Sequence, residues 1–241
     1  MLKDIDAVIF DLDGTLLPMD QDKFVDIYFK GLAQKFALIG NDPKILIATV
    51  WEGTKAMINN DGTMSNCERF WNTAGKILGG DIDEYEKIFN DYYENEFQML
   101  KEVTQPNTTV KECIRVLKDK GYRIILATNP LFPKIATYSR IRWAGLKPED
   151  FEWITTYENS SYCKPNVKYF EEILDNLSLI PEQCIMIGND VSDDMSAEFI
   201  GMDTYLVTDC LINTQNKDII HYKKGTLQEL LDFIKGLPKI K

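Results

Sequence analysis

The chain changes its hydrophobic periodicity twice, and those changes decide what it can fold into. From Pro106 onward, short apolar runs alternate with segments of helical spacing. Strands are expected at Tyr122 to Ala127, around Phe151 to Thr155, at Cys184 to Ile187 and at Thr204 to Val207. Helices are expected near Val110 to Lys120, Ile135 to Ala144, Val167 to Leu177, Asp193 to Ile200 and Leu227 to Ile234. A run apolar at every position must be buried on both faces, so strands of this kind separated by helices specify a parallel sheet with helices packed on either side. Ile5 to Phe10 reads as one more such strand, ending at an Asp-Gly turn. Between it and Pro106 the pattern is helical only. Phe24, Ile27, Tyr28 and Leu32, then Phe89, Tyr92, Tyr93, Phe97 and Leu100, recur at helical spacing, with turn signals at Gly40 to Pro43, Asn59 to Gly62 and Gly79-Gly80. The fold class is therefore α/β, with an all-helical segment inserted after the first strand. The aromatic residues of that segment, including Trp51, Phe70, Trp71, Tyr92 and Tyr93, are read as its core.

Composition removes several classes of function. With 38 acidic and 27 basic residues among 241, the net charge is -11, and no basic patch stands out to track a phosphate backbone, so no nucleic-acid partner is expected. Acidic residues interrupt the only apolar stretch near the N-terminus, and no run approaches the ~18 to 20 apolar residues of a bilayer span. No membrane association is expected, and the compartment is read as cytoplasmic. The five cysteines are scattered without a CxxC pair, which fits reduced thiols better than a disulfide or zinc framework. His221 is the only histidine, and without a GxSxG it reads as an ordinary loop residue.

Open parallel sheets bind ligands beyond the carboxyl ends of their strands. The residues expected there are Asp11-Leu-Asp13-Gly-Thr15 after the first strand, Thr128-Asn129 after the second, Lys164-Pro165 before a helix, and Gly188-Asn189-Asp190-Val-Ser-Asp193-Asp194 after the Cys184 strand. Two acids, a hydroxyl, a lysine and a further acidic cluster would converge on one edge.

In this order FDLDGTL, ILATN, KPNVKYF and IGNDVSDDM resemble the four motifs of the haloacid dehalogenase-like hydrolase superfamily. The likeness covers Leu2 to Phe10 and Pro106 to Leu237. It implies a Rossmann-like core formed by residues 1–18 and 104–241, with residues 19–103 as an inserted helical cap of the C1 type. That placement agrees with the spacing, because Thr128 to Lys164 leaves no room for another domain. The resemblance also implies a Mg²⁺-dependent phosphatase acting on a small-molecule phosphate ester.

The residue types suit that chemistry. Asp11 can attack phosphorus and form an aspartyl-phosphate, while Asp13 can protonate the leaving oxygen and later activate water. Thr128 and Asn129 can donate to phosphoryl oxygens, and Lys164 can neutralise charge growing on them. Crowded carboxylates need a hard cation, which selects Mg²⁺. By resemblance it is held by the Asp11 carboxylate, the Asp13 carbonyl and an acid of the fourth motif. Read as GDxxxD that ligand is Asp190, with Asp194 four residues on; read as GDxxxxD it is Asn189. Asp190 is favoured because a carboxylate binds Mg²⁺ more strongly than an amide, leaving Asp193 or Asp194 as a water-held or supporting partner; Asp193 reads equally as a helix N-cap. A sugar phosphomutase would keep the same motifs. A phosphonate hydrolase would need a lysine from the helical segment, and a dehalogenase would lack Asp13. A catalytically silent phosphate binder would have lost Asp11 or Asp13.

Overall fold

The computed structural model describes residues 5–38, 40, 42–79 and 81–240. Residues 1–4, where the family likeness begins, and parts of two expected turns at Asn41 and Gly80 lie outside that set. Six strands form one fully parallel sheet: β1 (Ala7–Phe10), β2 (Arg123–Leu126), β3 (Trp153–Ile154), β4 (Cys184–Gly188), β5 (Asp203–Val207) and β6 (Lys223–Gly225), in the order β3-β2-β1-β4-β5-β6. This is a Rossmann-like order in an α/β fold.

β1 lies in the middle, with every residue buried. Ile9 is in register with Ile125 on one side and Met186 on the other, so the strand is closed off by apolar neighbours in the sheet plane as well as above and below it. Strand order reverses across the β1–β4 pair. Asp11 follows β1 and Asn189 follows β4, which puts both at the switch point where open sheets bind ligands.

Helices α5 (Thr108–Lys120), α6 (Lys134–Trp143), α7 (Val167–Leu177) and α8 (Leu227–Gly236) connect or close the strands, close to the expected bounds. Two expectations change. The helix expected from Asp193 is a short 3-10 segment, Met195–Ile200, because the preceding residues are bound into a turn around Asp190 and Asp194. The strand β6 was not expected, since Lys223 and Lys224 give it no apolar run; it is an exposed edge strand, where lysines discourage further pairing.

Between β1 and α5 the chain is helical: α1 (Gln21–Leu38), α2 (Pro43–Ile58), α3 (Asn66–Leu78), α4 (Ile82–Glu94) and a 3-10 segment at Glu96–Val103. Its two connections to the sheet run side by side, joined by a Met19–Thr104 bridge and by Gln105 N–H donating to Pro18 O at 2.7 Å. Phe97 anchors the segment to the remainder. It is fully buried and packs edge-on to Phe24 and Tyr93 within the segment and in parallel with Trp143 of α6, centroids 5.2 Å apart. Phe70, Tyr92 and Tyr93 are buried as expected and half-buried Trp71 packs against them, but Trp51 is 54% exposed and is not a core residue. All five cysteines are free thiols. Among the described residues no helix is long and apolar enough to cross a membrane.

Because Phe97 ties both parts together, Phe97→Ala should lower stability by about 3–5 kcal/mol through lost ring burial and the cavity left behind. The midpoint of urea denaturation, read against wild type, measures it.

Candidate active site

The loop after β1 is wound tightly: Leu17 N–H donates to Leu12 O at 2.8 Å and Gly14 N–H to Leu17 O at 2.9 Å. This holds Asp11 and Asp13 at the sheet edge. Gly14 has φ of +88°, and a Cβ there would meet Asn189 Nδ2 at 2.3 Å, so the turn needs glycine for both conformation and space. Thr15, fully buried, donates its hydroxyl to Asn189 Oδ1 at 2.8 Å, while Asn189 Nδ2 donates to Cys210 O at 2.7 Å. Both ends of the Asn189 amide are thus engaged in bracing loops.

Lys164 is the centre of the array. Only 2% exposed, its ammonium donates to Asp11 Oδ1 at 3.0 Å and to Asp194 Oδ1 at 2.6 Å, with the Tyr169 ring beneath it at 5.8 Å. Burial alone would favour a neutral lysine, but Asp11 and Asp194 outweigh it and raise its pKa, keeping the ammonium charged. Asp194 also accepts from Asp190 N–H at 2.9 Å, and a Cβ on Gly188 would lie 2.1 Å from Asp194 Oδ2. Asp194 is therefore a fully engaged holder of Lys164. Asp190 Oδ1 accepts from the N–H groups of Ser192 and Asp193 at 2.7 and 2.9 Å, so the residue that caps this turn is Asp190, and Asp193 does not cap the following segment. Thr128 is buried, with its carbonyl fixed by the Thr155 and Tyr169 hydroxyls at 2.7 and 2.8 Å. Asn129 Nδ2 donates to Asp193 at 3.2 Å.

The fold thus brings Asp11, Asp13, Thr128, Asn129, Lys164, Asn189, Asp190 and Asp194 to one wall of a cavity of about 330 Å³, whose opposite wall is the helical segment. Sequence reasoning missed Arg140, only 1% exposed, on the same wall. Its guanidinium pairs with Asp13 Oδ2 and lies over the Phe132 ring at 4.6 Å. A signal was present: Arg140 falls between Ala136 and Ala144 on the buried face of α6, where an unpaired charge could not stay.

Carboxylates outnumber cations here. Burial drives Asp11 up, Lys164 draws it down, and Asp194 and Asp13 push it up again, so that the Asp11 carboxylate depends on Lys164 and on any further positive charge to stay ionised. Burial likewise raises Asp13 against the pull of Arg140, and burial with the nearby Asp190 lifts Asp193 to about 6. Asp13 Oδ1 and Asn129 Oδ1 are buried without a hydrogen-bond partner. Such an array suits a hard divalent cation. Among the described residues no three Asp, Glu, His or Cys side chains form an ion cage by themselves. The carbonyl of Asp13 faces only a long 3.5 Å contact from Gln21.

Residues 5–201 match the model of the haloacid dehalogenase-like hydrolases, and the chain belongs to that family. It is an enzyme of the hydrolase class. It is 28% identical over 240 residues to the glyceraldehyde 3-phosphate phosphatase of Methanothermobacter thermautotrophicus, covering 97% of this chain and 98% of that protein. A phosphoglycolate phosphatase from Psychrobacter arcticus is 26% identical over 207 residues, covering 83% and 82%. Among solved structures, a phosphatase of the family from Thermococcus onnurineus superposes with a TM-score of 0.61 over 98% of this chain and 100% of that one, at 20% identity.

Removing one member of the Arg140–Asp13 pair strands the other. Arg140→Met should cost about 3 kcal/mol, the low end for breaking a buried pair because Asp13 still borders the cavity. Adding Asp13→Asn should recover most of it, and a double-mutant cycle by chemical denaturation measures the coupling.

Proposed function

We propose that the protein is a Mg²⁺-dependent phosphatase that hydrolyses a small phosphomonoester through an aspartyl-phosphate on Asp11. The observation that carries this reading is the buried Lys164 ammonium shared between Asp11 and Asp194 on the wall of the cavity. A nucleophilic carboxylate beside a fixed positive charge suits attack on a group whose negative charge must be neutralised as bonds change. The phosphatase names of the relatives point the same way.

An Asp11 oxygen attacks phosphorus in line with the ester oxygen. The P–O ester bond breaks, and the leaving oxygen takes a proton from Asp13. The raised Asp13 pKa favours the acid form, and the adjacent Arg140 limits the rise so that the same carboxyl can serve as a base. Asp13 then removes a proton from the water that attacks the aspartyl-phosphate, and inorganic phosphate departs as the Asp11 carboxylate is regenerated. Thr128 and Asn129 supply hydrogen bonds to the non-bridging oxygens, and Lys164 offsets their charge. The helical segment acts as a cap that limits bulk water around the reacting groups while admitting the hydrolytic water that Asp13 activates.

The cation would be held by the Asp11 carboxylate, the Asp13 carbonyl and Asp190. It would lower the repulsion among the carboxylates and between them and the phosphoryl oxygens. Asp190 is favoured over Asn189, whose amide is engaged by Thr15 and Cys210.

Asp11→Asn keeps size and burial but cannot attack, so kcat should fall at least about a hundredfold, or ~2.7 kcal/mol of barrier. Release of inorganic phosphate from acetyl phosphate is the readout, and a variant retaining a tenth of wild-type kcat overturns the nucleophile assignment. Excess Mg²⁺ should raise the melting temperature of EDTA-treated protein, since the unfolded chain has no assembled site. Asp190→Ala should diminish that shift more than Asn189→Ala; the opposite order would assign the ligand position to Asn189.

A further inference from the structure

The wall that the helical segment contributes to the cavity is built mostly from rings. Phe24, Tyr28 and Phe29 of α1, Trp51 of α2, Phe89 and Tyr93 of α4 all border it. Several of these were expected to serve only as packing within the helical segment, yet they face the space in front of Asp11. Aromatic rings can stack on the C–H faces of sugars, but a sugar held that way also needs polar groups for its hydroxyls, and most of the polar tips here are turned to one another. The Tyr28 and Tyr93 hydroxyls bond each other at 2.9 Å, and Trp71 Nε1 donates to the Tyr157 hydroxyl at 3.4 Å. A polyhydroxylated leaving group would meet few polar partners on that side, chiefly Gln21, Thr54 and Asn90, and each unpaired hydroxyl it buried would weaken binding. An apolar ring would meet no such penalty.

The rim adds a second observation. Trp51, 54% exposed, stacks on Phe29 with centroids 5.0 Å apart and planes at 19°. A solvent-facing stacked pair bordering a cavity gives an incoming ring a flat apolar edge at little entropic cost, since both side chains are already ordered. The cavity, at about 330 Å³, falls in the range of small-molecule sites and leaves ample room beyond the phosphoryl group.

We infer that the leaving group is apolar and ring-bearing: the substrate class is a phosphomonoester of an aromatic or arylalkyl alcohol, selected by the aromatic wall over short polyhydroxylated or carboxylated phosphates. This rests on the phosphatase reading for its chemistry, but the recognition element stands on the cavity alone. It separates this chain from relatives named for three- and two-carbon phosphates.

Benzyl phosphate and glycerol phosphate, both esters of simple alcohols, compare the two classes with little difference in leaving-group reactivity. With Mg²⁺ present, kcat/KM for benzyl phosphate should exceed that for glycerol phosphate about tenfold or more, the discrimination that burial of one apolar ring provides. Calorimetric titration of wild-type protein with benzylphosphonate and methylphosphonate, which cannot be hydrolysed at an ester oxygen, should show the same order of affinity. Trp51→Ala, at an exposed position that the fold does not need, should lower the benzyl-to-glycerol ratio about threefold or more. Equal or reversed preference in both assays, or a Trp51→Ala ratio equal to wild type, overturns the inference. If neither ester is cleaved but benzylphosphonate binds about tenfold tighter, the ring preference holds and the phosphatase reading falls. If neither ester is cleaved and neither phosphonate binds, both fall.

Discussion

One buried ammonium organises the edge of the sheet. Lys164 reaches the site from the loop before α7, Asp11 from the end of β1 and Asp194 from the loop after β4, so their contacts tie together three segments distant in sequence. A lysine buried to this degree would lose its proton or pull the surrounding loops open if either carboxylate were missing. The close approach of Gly188 to Asp194 belongs to satisfying that charge, whereas the turn around Asp190 and the seat of Asp11 are built by backbone bonds of their own loops. Arg140 repeats the arrangement for Asp13 a short distance away, and between them the two cations leave the carboxylates still in excess.

That excess connects fold to chemistry. The sheet delivers its loops to the β1–β4 switch point whether or not they carry charge, since strand order is set by apolar burial. Placing several acids there is costly for the folded state, and the raised values of Asp11 and Asp193 express that cost. The same crowding gives the site a local excess of negative charge that a hard cation would relieve.

Legibility in the sequence followed physical locality. β1, β2 and β4 were readable because burial on both faces leaves an apolar run, β5 from its buried end at Tyr205 to Val207, and the residues directly after β1, β2 and β4 could be assigned to one edge from topology alone. β6 was not readable, because its pairing is held by backbone bonds while its lysines face solvent. Arg140 was obscured for a different reason: its partner Asp13 lies on another element, and only tertiary packing turns α6 so that the guanidinium meets it. The role of Asp190 as the turn's cap, and the binding of both ends of the Asn189 amide, likewise depend on backbone groups whose positions no spacing rule supplies. The helical segment was recognised by period, but which of its rings face inward and which face the cavity required the helices to be packed.

The paired connections between sheet and helices carry a consequence for how such a molecule can change over time. Because Met19 bridges Thr104 and Pro18 accepts from Gln105, the chain leaves and rejoins the α/β layer at one point. Topologically the four helices are a side branch, and the sheet's register is complete without passing through them. A branch joined covalently at one point, and otherwise held by side-chain and loop contacts such as Phe97 on Trp143, can be lengthened, shortened or exchanged as a block without disturbing strand order. The helical block and the sheet edge are therefore separable inheritances in this architecture, free to diverge at different rates.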